Sequence, residues 1–271
     1  MPAFGDMDIG RTGRGNRVTN AIAMASQRTG VDFNYLFNQA KIESSLNPDA
    51  RASTSSATGL YQFIDQSWLG VVSDHGAKHG LGWAASAIGK SGGRYHVSDP
   101  ALRQQIMDLR RQPEIASIMA AEHAADNQAT LEAQLGRPVT STDLYLAHFL
   151  GVGGAAKFLR AHDQNPGASA AAVLPSAAAA NRWVFYDRNG APRCLSEVRQ
   201  RFAEKLGGDG NYLPASSGGA RLADIPEDQQ VQPADYVRIE TARLESRNYP
   251  TVAPQPETAR LAYLMLATFG R

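Results

Sequence analysis

The residues that could do chemistry lie close together, between Glu43 and Gln62. Glu43 is followed by Ser44, then by Asn47-Pro48, a short polar loop, and Gly59-Leu60-Tyr61-Gln62-Phe63. Phe33, Leu36, Phe37 and Ala40 recur at helical spacing and define an apolar face. Glu43 is the next position on that face, so a carboxyl stands where the pattern asks for another apolar side chain. Partial burial and the negative end of a helix both favour the protonated form of a carboxyl. A carboxylic acid that keeps its proton near neutral pH is what acid-catalysed cleavage of a glycosidic bond requires. The plainer alternative is a Glu that rotates into solvent at a fraying helix end.

The elements that must position Glu43 are legible around it. Asp32 is a candidate N-cap for the helix, and Pro48 disfavours helical geometry at Asn47, which ends the helix near Leu46. Before it, Arg17 to Arg28 reads as a helix with Val18, Ile22 and Ala25 on one face, stopped by Gly30. Residues 1–15 are rich in Gly and charge and read as a flexible N-terminus. After it, the loop from Ala52 to Thr58 is small and polar, and Asp65 to Lys78 reads as a helix.

The paired segments Glu43-Ser44 and Gly59-Leu60-Tyr61-Gln62 resemble the signature of the lytic transglycosylases with a goose-type-lysozyme-like catalytic domain. The resemblance covers residues 16 to about 205. It implies a mainly α fold with a lysozyme-like catalytic domain, and Glu43 as the single catalytic acid and base. It implies that Ser44, Tyr61 and Gln62 line the sugar sites, with Gln62 offering its amide to an N-acetyl group and Tyr61 a flat surface to a ring. Tyr61 stands where the family carries Met. For Tyr61 and Phe63, core packing is the competing reading.

A second landmark is Ser141-Thr142-Asp143-Leu144-Tyr145-Leu146-Ala147-His148-Phe149-Leu150-Gly151. Ser141 or Thr142 can cap this helix. The resembled family usually carries Ala-Tyr-Asn-x-Gly here, and its Tyr orients the catalytic Glu or the sugar. This chain has His148 in its place, so that role passes to His148 or to Tyr145 one turn earlier. A satisfied core histidine is the alternative for His148.

Other motifs carry less. His75 and His79 stand four apart, a zinc-binding spacing on a helix, but Gly76 occupies the place of the zinc-protease Glu. Gly80 to His96 suits a surface loop or cleft wall. Asp99-Pro100 and Pro113 open further helices, the second long, with Glu122 either near the cleft or at a solvated position. Gly151-Val152-Gly153-Gly154-Ala155-Ala156 matches a dinucleotide fingerprint only formally, since no βαβ unit surrounds it, and reads as a turn between two helices. Gln164 to Ala180 could be a flexible linker. Asn181 to Tyr186 brings the chain back, with Trp183 and Tyr186 as candidates for closing a cleft, and Leu195 to Leu206 is a further helix.

Composition bounds the rest. The chain has 271 residues, room for one large domain or a domain plus an appendage, and its 43% hydrophobic content is ordinary for a soluble globular protein. Its net charge of +1 provides no broad field for nucleic acid or an anionic membrane. The basic group Lys90, Arg94, Arg103, Arg110 and Arg111 reads as a solvated face or a contact for anionic wall polymer. The single cysteine, Cys194, excludes an intrachain disulfide. No apolar run is long enough to span a bilayer, and no signal-type apolar segment opens the chain.

The domain expectation is a flexible N-terminus at 1–15, a catalytic domain at 16–206, a linker at 207–232 and a helical C-terminal extension at 233–271. Helices at 234–245 and 257–269 could pack on the domain or bind a protein partner. The resemblance implies peptidoglycan glycan strands as substrate, a periplasmic or cell-envelope location, and neither metal nor organic cofactor. Rival readings are a muramidase-type hydrolase of the same fold, using Asp49, Asp65 or Asp74 to activate water, and a non-catalytic glycan-binding or scaffold protein.

Overall fold

The computed structural model describes residues 9–53 and 55–207, with side chains from residue 16 onward. The expected linker and C-terminal helices lie outside the described residues. Elements run in the order α1 Ile9–Thr29, α2 Phe33–Ser44, α3 Asp65–His75, α4 Gly82–Ala87, β1 Gly89–Ser91, β2 Arg94–His96, α5 Pro100–Asp108, α6 Pro113–Leu135, α7 Ser141–Gln164, α8 Ala170–Val173, α9 Pro175–Ala180, α10 Arg182–Phe185 and α11 Leu195–Lys205. The fold is mainly helical, as expected.

Helix α6 forms the axis of the molecule. It packs against α1, α7, α3 and α2. Its buried face mixes the small Ala116, Ser117, Ala120, Ala121 and Ala124, which let neighbouring helices approach, with the large Ile118, Met119 and Leu131. Pro113 opens it at a position that needs no N–H, and Gly136 closes it in the left-handed region at φ 66°.

Helix α7 is capped by Thr140, one residue before the expected caps: its side chain accepts from the Asp143 N–H, and the Asp143 side chain accepts from the Thr140 N–H. Asp143 is fully buried between Arg137 at 3.0 Å and Arg199 at 3.2 Å, which ties the start of α7 to α11. The expected turn at Gly151 is a kink inside one helical run, with Gly151 at φ 69°, ψ 154°.

Several expectations need correction. The backbone is already helical from Ile9, so the first helix absorbs half of the stretch read as flexible. Gly80 to His96 forms α4 and the antiparallel hairpin β1–β2, in which Lys90 pairs with Tyr95. The helix after Asp65 tightens into a 3-10 turn at Gly76–His79. The stretch read as a flexible linker folds as the end of α7 with α8 and α9, because Ala170, Ala171, Ala177 and Ala178 are small enough to pack into the core. Arg110 is buried rather than solvated, and Asp65 accepts from both Arg110 and Arg103. Among the described residues no helix is long and apolar enough to cross a membrane.

Candidate active site

Helix α2 delivers Glu43. Asp32 caps it by accepting from the Tyr35 N–H at 2.8 Å. At its other end Ser45 and Leu46 both adopt positive φ, at 54° and 61°. The Ser45 N–H closes the last helical bond on the Lys41 carbonyl at 2.9 Å, and the left-handed turn lets the Leu46 N–H reach back to the Ala40 carbonyl at 3.3 Å, which stops the helix. Left-handed backbone at two successive non-glycine residues costs roughly 1–2 kcal/mol each. The strain lies directly beside the residue whose chemistry is at issue.

Glu43 is 4% exposed, so its carboxyl is at the core rather than rotated into solvent. Tyr145 Oη donates to Glu43 Oε1 at 3.3 Å, and His148 Nε2 lies 3.3 Å from the same oxygen. Oε2 is buried and has no hydrogen-bond partner among the described residues. A carboxyl oxygen left so in a native core calls for an explanation, because an unsatisfied buried polar atom costs about 1–3 kcal/mol. Burial pushes the Tyr145 phenol well above its ordinary range, with the neighbouring Glu43 charge adding to it, so Tyr145 remains a donor. Burial raises Tyr35 and Tyr61 as well, and Tyr35 also feels Glu43. The carboxyl therefore has neutral phenols around it.

Helix α7 brings Tyr145 and His148 to one face by their i, i+3 spacing, and their rings stack at 5.7 Å. Behind His148, Gln39 Nε2 lies 3.3 Å from His148 Nδ1. Phe202 from α11 packs edge-on against Tyr145 at 5.8 Å, and Asn38 donates to the Leu206 carbonyl at 3.0 Å. These contacts seat the end of α11 beside Glu43. Lys205 lies there, exposed, with Nζ 5.9 Å from the centre of the half-exposed Trp183 ring. Local desolvation lowers the Lys205 pKa, and attraction to Glu43 opposes that shift.

The loop before α3 is fastened from below. Arg110 Nη1 donates to the Ser56 and Phe63 carbonyls and to Asp65 Oδ1. Gly59 sits on this support at φ 84°, where an added Cβ would lie 2.0 Å from the Arg110 carbonyl oxygen. Only glycine fits both the backbone angle and that approach.

This geometry divides the expected site residues. Glu43, Tyr145 and His148 come together. Ser44, Tyr61 and Gln62 do not present themselves to a ligand as expected. Ser44 Oγ donates back to the Ala40 carbonyl at 2.9 Å. Tyr61 is 2% exposed, with its hydroxyl beside Ser117, so no ring face is open to a sugar. Gln62 is buried at φ 47°, and its amide donates to the Ala50 and Gly59 carbonyls, so it braces the loop. Phe63 is a core residue against Trp68 at 5.3 Å. Tyr186 packs beneath the Arg182 guanidinium at 4.5 Å and is not brought into contact with Glu43.

Glu122 is not solvated. It is buried, and it accepts from Lys78 at 2.7 Å and pairs with His79 at 2.6 Å and His75 at 3.3 Å. The His75–His79 pair is thus joined through a carboxylate. Among the described residues no group of three or more such side chains has metal-binding geometry.

Sequence reasoning missed Gln39 and Lys205. Gln39 had a signal: Tyr35, Gln39 and Glu43 form an i, i+4, i+8 polar stripe on a largely buried helix. Lys205 had none, because only the packing of α11 on α7 sets it where it feels the Glu43 charge. No known protein-family model matches the chain.

Proposed function

We propose that this protein is a peptidoglycan lytic transglycosylase with a lysozyme-like fold, in which Glu43 is the single general acid and base. The observation that carries the reading is the asymmetry of the Glu43 carboxyl: Oε1 is held by Tyr145 and faced by His148, while Oε2 has no partner among the described residues. An unpartnered oxygen on a fixed, desolvated carboxyl can carry the proton, and it delivers that proton to a glycosidic oxygen once substrate binding opens a path to it. The motif pair read from the sequence supplies the substrate class.

In this mechanism Glu43 gives its proton to the oxygen between N-acetylmuramic acid and N-acetylglucosamine. An oxocarbenium-like transition state forms without a protein nucleophile. The Glu43 carboxylate then takes the proton of the sugar's own C6 hydroxyl, whose oxygen attacks C1 and closes a 1,6-anhydro ring. No water is consumed. Hydrolysis by inversion would need a second carboxylate about 6.5–9.5 Å away to activate water. Of the aspartates weighed for that role, Asp65 is engaged by Arg103 and Arg110, and Asp49 and Asp74 are exposed.

The test is mass spectrometry of the products released from purified peptidoglycan by the wild-type protein and by Glu43→Gln. Products ending in 1,6-anhydromuramic acid are expected, with a loss of about 10²–10⁴ in rate for the variant. Reducing-end products would replace the reading with hydrolysis. A fully active Glu43→Gln protein would remove Glu43 from the chemistry.

A further inference from the structure

Oε1 and Oε2 of Glu43 differ because of what surrounds them, and the difference begins one helical turn away at Gln39. Gln39 is 5% exposed, and its side-chain amide faces Nδ1 of His148 at 3.3 Å. The other nitrogen of that ring, Nε2, faces Glu43 Oε1 at 3.3 Å. The ring cannot swing away, because it stacks on Tyr145 at an interplanar angle of 25°. Gln39, His148 and Glu43 thus form a line of three polar groups, two of them on one face of α2 and the middle one on α7.

A neutral imidazole has one N–H and one lone pair. Which nitrogen carries the proton is set by the partner of the other. If the Gln39 amide donates, Nδ1 accepts, and the proton must be on Nε2, aimed at Oε1. Oε1 then faces two donors, Tyr145 Oη and His148 Nε2. An oxygen approached by two donors has no room for a proton of its own. The acidic proton of Glu43 is left to Oε2, the buried atom with no partner. If Gln39 presented its carbonyl oxygen instead, the ring proton would move to Nδ1. Nε2 would then offer a lone pair to Oε1, and the Glu43 proton would be drawn to Oε1, away from the free oxygen. His148 Nε2 makes no well-aligned hydrogen bond in this state. Such contacts tighten when substrate fills the site.

We infer that Gln39 is a positioning residue of this site: its amide holds His148 with the proton on Nε2, and thereby assigns the transferable proton of Glu43 to Oε2. The inference rests on Glu43 being the acid of the proposed reaction. It gives His148 a role distinct from that of a core histidine, since the ring relays an orientation from one end of the line to the other. It also gives a reason for a buried Gln on the stripe that ends in Glu43.

The experiment is long-range proton–nitrogen NMR of the full 271-residue chain with labelled histidine, His148 being assigned by its absence from the His148→Phe spectrum. The expected wild-type signature is a neutral ring protonated at Nε2. In Gln39→Leu that signature is lost, and kcat falls about tenfold with KM within about twofold, as befits a group acting only on proton transfer. A wild-type ring protonated at Nδ1 overturns the inference, as does an unchanged ring signature in Gln39→Leu. Where Gln39→Leu fails to fold, Gln39→Glu, whose carboxylate only accepts, replaces it: a proton gained at Nδ1 is expected, and an Nδ1 left unprotonated overturns the inference. An Nδ1-protonated ring with an inactive Glu43→Gln protein would defeat the inference and leave the function intact. An active Glu43→Gln protein would defeat both.

Discussion

Tyr145 and Glu43 are joined by a single hydrogen bond, and its consequence is best measured by removing one oxygen atom. Tyr145→Phe deletes the donor at 3.3 Å from Glu43 Oε1 and keeps the ring stacked between His148 and Phe202. A hydrogen bond to the carboxylate that forms as Glu43 gives up its proton contributes about 1.5–3 kcal/mol. If that interaction orients the carboxyl for proton transfer, kcat should fall roughly tenfold to hundredfold while KM stays near its wild-type value. Steady-state kinetics on soluble glycan fragments reads this directly, and an unchanged kcat would reduce Tyr145 to a packing residue. The same resolution of single atoms separates Ser44 and Gln62 from the site. Their residue types suit sugar binding, but their donors close on the carbonyls of Ala40, Ala50 and Gly59. Type and spacing did identify Glu43 as a carboxyl on an apolar face. They did not show where a short side chain would find its hydrogen bond, because a local carbonyl and a ligand are equally good acceptors.

The end of α2 is the element whose geometry matters most. Its stop is made by Ser45 and Leu46 in the left-handed region, where Gly is the residue without a steric cost. Ser45 is exposed, so replacing it removes little packing. Ser45→Gly should relieve about 1–2 kcal/mol of backbone strain and lose about 0.4–1 kcal/mol through the freer unfolded chain. A net gain on the order of 0.5–1 kcal/mol is expected, seen as a higher urea midpoint with an unchanged slope. A lower midpoint would mean that the Ser45 side chain stabilises the turn. Pro48 and the apolar spacing placed the end of this helix within a few residues. The left-handed pair was not legible, since nothing in Ser-Leu favours that conformation locally. It follows from the Leu46 N–H closing on the Ala40 carbonyl while the chain leaves the helix.

At the scale of the whole molecule, α6 sets both the shape and the response to acid. His123 lies on it, its ring 6.3 Å from that of Phe63 in the loop before α3. Burial pushes the His123 pKa down to about 4. The ordinary value in an unfolded chain is about 6.5. As pH falls below about 6.5 the unfolded chain takes up a proton that the folded chain refuses, so stability falls until both forms are protonated near pH 4. The shift amounts to at most about 3 kcal/mol. Chemical denaturation at several pH values should show this loss, and His123→Gln should flatten it over that window. A variant whose curve parallels the wild type would clear His123 of the effect. Glu122 acts in a lower range. Desolvation works against its charge, but hydrogen bonds from Lys78 and His79 outweigh it and hold the carboxyl below its usual value. Its contribution is therefore present in full above about pH 4.3, the unfolded value, and is lost as pH falls through the folded one.

The helical class, the position of the long α6 behind Pro113, the cap at Asp32 and the placement of Glu43 at the end of a half-apolar helix were all legible in the order of the residues. These are local matters: apolar periodicity, capping chemistry and the fixed φ of proline act within a few residues of themselves. The packing of the helices was needed to show that Glu43 meets Tyr145 and His148, that Tyr61 and Gln62 serve the interior, and that Gln39 stands behind His148. It decided too that the alanine-rich stretch after α7 packs rather than wanders, and that Glu122 is buried among His75, Lys78 and His79. Each of these depends on which helix faces lie against one another. Burial and hydrogen-bond partners come from parts of the chain far apart in sequence, and no single segment carries that information.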